Sequence, residues 1–160
     1  MYSLRNEFVR LQKNRGFDVE AVLKKKARLI NAYFEESSLN SVVLGVSGGI
    51  DSAVVLGLLL CASKQEESPI EKVLSLLLPI SHRGASDQDI SLSRGRMVVE
   101  TLGGDCWECP LGAVQEEYIR SMNQLSSGAW SEGQLLSVVR TPALYYAAAQ
   151  LQHHGYRSLV

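Results

Sequence analysis

The sequence predicts an α/β protein built on a doubly wound, mostly parallel sheet. Two continuous apolar runs, 41–46 and 72–80, lack the in-out alternation of a half-exposed strand and read as strands covered on both faces. Helix-like segments separate the strand candidates, and the first strand ends in Ser47-Gly48-Gly49, a glycine turn of the kind that joins strand to helix.

Along the chain, Val19, Val22, Leu23, Ala27, Ile30, Tyr33 and Phe34 recur at helical spacing, with Asp18 placed as N-cap. Lys24 to Lys26 fall mostly on the opposite face, as solvated charges do. The first strand, 41–46, passes through the glycine turn into an apolar helix over 51–64, and a polar stretch leads to the second strand. Ser86 and Asp89 can form a capping box for a helix reaching about 102, closed by Gly103-Gly104. A third strand is expected at 106–111, short or at a sheet edge because Pro110 has no N–H for a ladder. Helices follow at 114–125 and 132–153, the second kinked or restarted at Thr141-Pro142, with Thr141 as N-cap and Pro142 as first helical residue. Residues 156–160 read as the beginning of a fourth strand, so the working domain is 1–160, incomplete at its C-terminal side.

Composition bounds the function classes. With 46% hydrophobic residues, 21% charged and a net charge of −1 over 160 residues, the chain is neither disordered nor a nucleic-acid-coating protein. The longest apolar stretch, 53–62, is too short for a membrane span, and the N-terminus carries charges where a secretory segment would be apolar, so a cytoplasmic protein without membrane partner is expected. The three cysteines make no disulfide framework, and Cys106-x-x-Cys109 has no second ligand pair at zinc spacing; buried or edge-strand thiols are the reading.

The chemistry centres on Ser47-Gly48-Gly49-Ile50-Asp51-Ser52. At the carboxyl end of a parallel strand and the start of a helix, free amides, the helix dipole and two glycines make an anion site. The pattern is neither Gly-x4-Gly-Lys-Ser/Thr nor Gly-x-Gly-x-x-Gly. It has no lysine; Ser47 and Ser52 supply hydroxyl donors, and Asp51 places a carboxylate that tolerates phosphate only with a divalent cation between, so the motif asks for Mg2+.

These six residues resemble the SGGxDS signature of the N-type ATP pyrophosphatases (PP-loop enzymes), and the surroundings resemble the NAD synthetase family within them. Tyr33 stands on the helix before the first strand, Leu78-Pro79 ends the second and is followed by Asp87 and Asp89, and the stretch from Gly133 to Tyr145 is similar to the family's Gly-Asn-x-x-Ala-Arg-x-Arg-Met segment, with Arg140 on its second arginine. The chain departs from that segment at Gln134, Val138 and Thr141-Pro142.

The resemblance implies a fold of the adenine-nucleotide alpha-hydrolase-like type, truncated here at its fourth strand. It implies ATP-dependent amidation of deamido-NAD to NAD with ammonia, through carboxylate adenylation and release of pyrophosphate and AMP. ATP and pyrophosphate would lie on Ser47, Gly48, Gly49, Asp51 and Ser52, with Ser47 and Asp51 catalytic and Asp51 the magnesium ligand. Tyr33, Arg140 and Tyr145 would face the dinucleotide, and the enzyme would be a homodimer. The alternatives are another adenylating amidotransferase or ligase of the superfamily, and a non-catalytic ATP-binding fragment. Elsewhere, His82 and Arg83 lie in the loop after the second strand, near where adenine or phosphate would sit; His153-His154 suit a helix C-terminus; Trp107 and Trp130 read as packing residues.

Overall fold

A computed structural model describes residues 9, 10, 13, 16–80, 86–122 and 128–160, with 86–88 described for the backbone alone. The described elements run α1 (Val19–Glu36), β1 (Ser41–Gly45), α2 (Ile50–Ser63), β2 (Lys72–Leu77), α3 (Ser86–Leu102), β3 (Asp105–Glu108), α4 (Gly112–Ser121), α5 (Ala129–Val138), α6 (Arg140–Gln152) and β4 (Ser158–Leu159). The strands form one sheet in the order β3-β2-β1-β4, and every neighbouring pair is parallel.

Both faces of the sheet are covered, which is why the central strands carry apolar residues at successive positions. Val42, Val73 and Leu77 pack with Ala27 and Phe34 of α1, Leu56, Leu59 and Leu60 of α2 and Val99 of α3. Val43, Leu74 and Leu76 face the other way, against Val139, Ala147 and Leu151 around α6. The crossovers through α2 and α3 therefore lie on one face, and the return through α5 and α6 on the other. The direction of winding reverses between β1 and β4, and such a reversal opens a crevice at the carboxyl ends of the strands.

Polar groups fix the seams. Asp18 caps α1 by accepting from the Ala21 amide at 3.2 Å. Asn31 of α1 donates to the Ala62 carbonyl and to Gln65 Oε1, both at 3.1 Å, and accepts from the Ser68 hydroxyl, tying α1 to the turn after α2. β4 is only two residues long, but the Ser41 and Ser158 hydroxyls meet at 2.6 Å and the Arg157 amide donates to Asn40 Oδ1 at 2.7 Å. β3 is the four-residue edge strand that Pro110 implied, held to β2 by the Lys72–Asp105 ion pair at 2.6 Å.

Two expectations need amendment. The second helical break falls at Val139, two residues before Thr141, and Pro142 is the third residue of α6. Its missing N–H still costs nothing there, because the first-turn amides have no intrahelical acceptor. Trp130 is 78% exposed and Trp107 39%, so neither lies in the core, and Trp130 is not a packing residue. The capping box at Ser86, the loop pair His82 and Arg83, Asp87 and the far end of the helix after β3 lie outside the described side chains. Cys106 sits on the edge strand, as read, and Cys109 just beyond it, half-buried.

Candidate active site

Gly48 has φ +79°, in the left-handed region that glycine enters without penalty, and this reverses the chain between β1 and α2. Gly49 is the N-cap of α2 and offers no side chain to its amides. The first i to i−4 bond of α2 runs from the Ala53 amide to the Gly49 carbonyl, so the amides of Ile50, Asp51 and Ser52 stand in the turn before it and are available to an anion.

Two hydroxyls brace the turn. Ser52 Oγ donates to the Gly49 carbonyl at 3.0 Å and accepts from the Ser47 amide at 3.3 Å, while Ser47 Oγ accepts from the Gly49 amide at 3.3 Å. The two hydroxyl oxygens are 3.2 Å apart. The loop is thus held in its anion-accepting shape by the same hydroxyls that can turn to a ligand, and Asp51 is exposed in the first turn beside them.

Helix α3 forms the back wall. A Cβ on Gly48 would stand 2.5 Å from the Ser91 carbonyl oxygen and 2.9 Å from both Arg94 Cβ and the Gly95 amide nitrogen. A Cβ on Gly95 would in turn stand 2.8 Å from Leu77 Cδ2 and 3.4 Å from the Val46 carbonyl oxygen. The two glycines therefore let loop and helix close on each other. Gly95 escaped the sequence reading, although a glycine inside a helix costs about 1 kcal/mol against alanine and such a residue usually has a packing reason.

A cleft of about 440 Å³ opens from this loop across the carboxyl ends of β1 and β2. Its walls are Gly45 to Ser47, Leu76 to Pro79, Ser91 and Leu92 of α3, Ser137, and Arg140 and Leu144 of α6. Gly45 is a glycine that faces α6: a Cβ there would meet Leu144 Cδ2 at 3.5 Å.

The sequence-derived site residues divide. Ser47, Gly48, Gly49, Asp51 and Ser52 form one loop, and Arg140 joins Ser47 at the cleft. The Arg140 guanidinium donates to the Leu78 carbonyl at 3.2 Å and to the Leu136 carbonyl, so it buttresses the end of β2; burial pushes its pKa down from the ordinary value. Tyr33 and Tyr145 are 52% and 63% exposed and line no part of the cleft. Tyr33 packs edge-on to Phe34, with ring centroids 6.4 Å apart.

A parallel sheet covered on both faces, with a hydroxyl-braced glycine loop at its switch point, defines the class of doubly wound α/β folds with an anion-accepting turn at the head of a crossover helix. Within that class the chain belongs to the NAD synthase family, whose sequence model matches residues 22–154. It is 34% identical over 134 residues to an NH(3)-dependent NAD(+) synthetase of Pelodictyon phaeoclathratiforme, covering 82% of this chain and 43% of that one. It is also 34% identical over 88 residues to that of Methanocaldococcus jannaschii, covering 55% and 30%. The chain thus spans less than half the length of these relatives. Among solved structures, the fold is similar to an NMN synthetase from Francisella tularensis (TM-score 0.72, 20% identity, 89% of this chain and 52% of that one). It is likewise similar to an NH3-dependent NAD synthetase from Campylobacter jejuni solved in complex with the nitrate ion (TM-score 0.69, 24% identity, 90% and 56%).

Proposed function

We propose that the chain carries the ATP-handling part of an ammonia-dependent NAD synthetase, a carbon–nitrogen ligase that amidates deamido-NAD. The observation behind this reading is the loop of Ser47 to Ser52, open to an anion through its amides and continuous with a cleft at the switch point. Pyrophosphate oxygens take the amides of Ile50 to Ser52 and the hydroxyls of Ser47 and Ser52, and the rest of ATP extends into the cleft.

In the reaction, the carboxylate of deamido-NAD attacks the α-phosphorus, the bond to the bridging oxygen breaks, and pyrophosphate departs with the electron pair. Ammonia then attacks the acyl adenylate, AMP leaves, and a proton is lost to give the amide. No nucleophilic side chain is needed; the loop contributes position and charge stabilisation. Asp51 suits Mg2+, because a single exposed carboxylate beside phosphates is how that ion is commonly held, the other ligands being phosphate oxygens and water. Bound there, the ion would neutralise phosphate charge.

Tyr33, Arg140 and Tyr145 remain candidates for the dinucleotide. Both tyrosines stand outside the cleft, so their contact with substrate requires a surface completed by residues or a second copy beyond these elements. A homodimer fits the apolar side chains exposed on α1 and α2, among them Leu29, Ile50 and Val54. No helix among the described residues is long and apolar enough to cross a membrane.

The test is pyrophosphate release from Mg-ATP in the presence of deamido-NAD and ammonia, with Asp51→Ala as control. Release that depends on deamido-NAD and falls at least a hundredfold in the variant supports the synthetase. ATP binding without release under any acceptor leaves a binding fragment, and release with a different carboxylate assigns another member of the superfamily.

A further inference from the structure

The loop that would receive pyrophosphate has no lysine or arginine between Ser47 and Ser52, and Asp51 adds a negative charge to it. Any cationic side chain that meets the phosphates beside Mg2+ therefore stands on another element. Arg140 is engaged with two main-chain carbonyls. Arg96 is engaged too, in a two-pronged pair with Glu108 at 2.9 and 2.8 Å.

Arg94 differs from both. Its Cβ lies 2.9 Å from where a Cβ on Gly48 would stand, so its side chain starts at the back wall of the loop. It is one helical turn from Ser91, which lines the cleft beside Ser47, and residues three apart on a helix share a face. Arg94 is exposed, and among the described residues it has neither ion pair nor hydrogen bond. An extended arginine carries its guanidinium roughly 6 Å beyond Cβ, the span of its intervening bonds, which reaches the loop's ligand space.

We propose that Arg94 is a further catalytic residue: its guanidinium contacts the pyrophosphate group and takes up the negative charge that develops as that group leaves. This rests on the pyrophosphate reading of the loop. When the bond between the α-phosphorus and the bridging oxygen breaks, the electron pair goes to pyrophosphate, and the guanidinium donates N–H bonds to its oxygens without giving up a proton. Arginine suits this role because its fork matches phosphate oxygens two at a time and it stays charged at any working pH.

The experiment is calorimetric binding of magnesium pyrophosphate to the 160-residue chain and to its Arg94→Gln, Arg94→Lys, Arg96→Gln and Ser52→Ala variants, at two salt concentrations. Arg94→Gln is expected to weaken binding by about tenfold and to flatten its salt dependence, with thermal stability unchanged because the side chain is exposed. Arg94→Lys should recover part of the loss, and Arg96→Gln should bind as the parent does. Parent-like binding by Arg94→Gln while Ser52→Ala is weakened overturns the role of Arg94 and leaves the loop reading standing. Equal losses in the Gln and Lys variants with unchanged salt dependence assign Arg94 a structural role and also overturn it. A parent chain that binds no pyrophosphate defeats the loop reading itself.

Discussion

Gly48→Ala tests whether the contact between loop and α3 shapes the anion site. Two costs are separable. The residue sits at φ +79°, where an alanine loses about 1–2 kcal/mol. Its new methyl group would also press on the Ser91 carbonyl oxygen at 2.5 Å and the Gly95 amide nitrogen at 2.9 Å, both main-chain atoms of a helix, and overpacking of that kind costs about 1–3 kcal/mol. If the loop stays docked, the sum of about 2–5 kcal/mol lowers the melting temperature by about 5–20 °C for a chain of this size. If the loop lifts off α3 instead, less stability is lost but the amides of the first turn of α2 no longer converge, and pyrophosphate binding falls. Gly103→Ala isolates the first cost, since Gly103 has φ +83° with no neighbouring atom within 4 Å of its Cβ position. Differential scanning fluorimetry of the two variants and the parent, with and without magnesium pyrophosphate, gives both readouts. A Gly48→Ala chain no less stable than Gly103→Ala and still stabilised by pyrophosphate would refute the close-packed loop.

Further outcomes follow from other sites. Gly95→Ala should keep the fold but perturb the cleft, because its methyl group meets Leu77 Cδ2 at 2.8 Å, a movable side-chain end that lines the cleft; the expected result is weaker nucleotide binding with a melting shift of a few degrees at most. Ser75 is fully buried with no hydrogen-bond partner for its hydroxyl among the described residues, so Ser75→Ala should be neutral or stabilising in urea titration, whereas a loss above about 1 kcal/mol would reveal a hidden partner. Asn31→Ala removes three side-chain hydrogen bonds between α1 and the turn after α2, and a loss of about 1–3 kcal/mol is expected in the same titration. Burial, and after it Glu108 and Cys109, raises the Cys106 thiol above its ordinary value while Arg96 lowers it, so at any pH the thiolate fraction is smaller than in a free cysteine. Glu108→Gln should therefore speed alkylation of Cys106 by iodoacetamide at pH 8, since it removes a raising charge and leaves Arg96 to favour the thiolate.

The fold was legible because its signals are local and agree with one another. Val42-Val43 and Leu74 to Leu77 are buried whichever way they point, so the strand runs read as continuous rather than alternating. Asp18 fulfils its capping role because an aspartate before a helical run has an amide to meet wherever the helix then packs. The break between α5 and α6 was displaced because proline tolerates any position of the first turn: Thr141-Pro142 signals that a turn begins nearby without fixing which residue opens it. Trp130 was misjudged because a large aromatic carries no sign of which face of its helix meets the sheet, and α5 packs the half-buried Leu135 and Leu136 against the core in its place.

The candidate site was legible where its parts are adjacent in sequence and hidden where they are not. Ser47 to Ser52 form a unit because one turn needs a residue free at positive φ, an N-cap that leaves amides open and two hydroxyls five residues apart to brace it. Nothing in that segment announces α3, which begins 34 residues after Ser52 and supplies the wall through Ser91, Arg94 and Gly95. A helix glycine and an arginine near it are unremarkable as sequence; they acquire meaning only when the parallel crossover brings α3 across the end of β1. A different connection explains why Arg140 divides its roles. The return on the opposite face carries it to the cleft, but the half-buried guanidinium meets the Leu78 and Leu136 carbonyls there, so its first consequence is to hold the end of β2 in place. The loop is thus backed by α3, while Arg140 holds the neighbouring end of β2. On the proposed function, a substitution at Gly95 or Arg140 should alter nucleotide binding without touching Ser47 to Ser52, because each shapes a wall or an end of the cleft that the loop opens into.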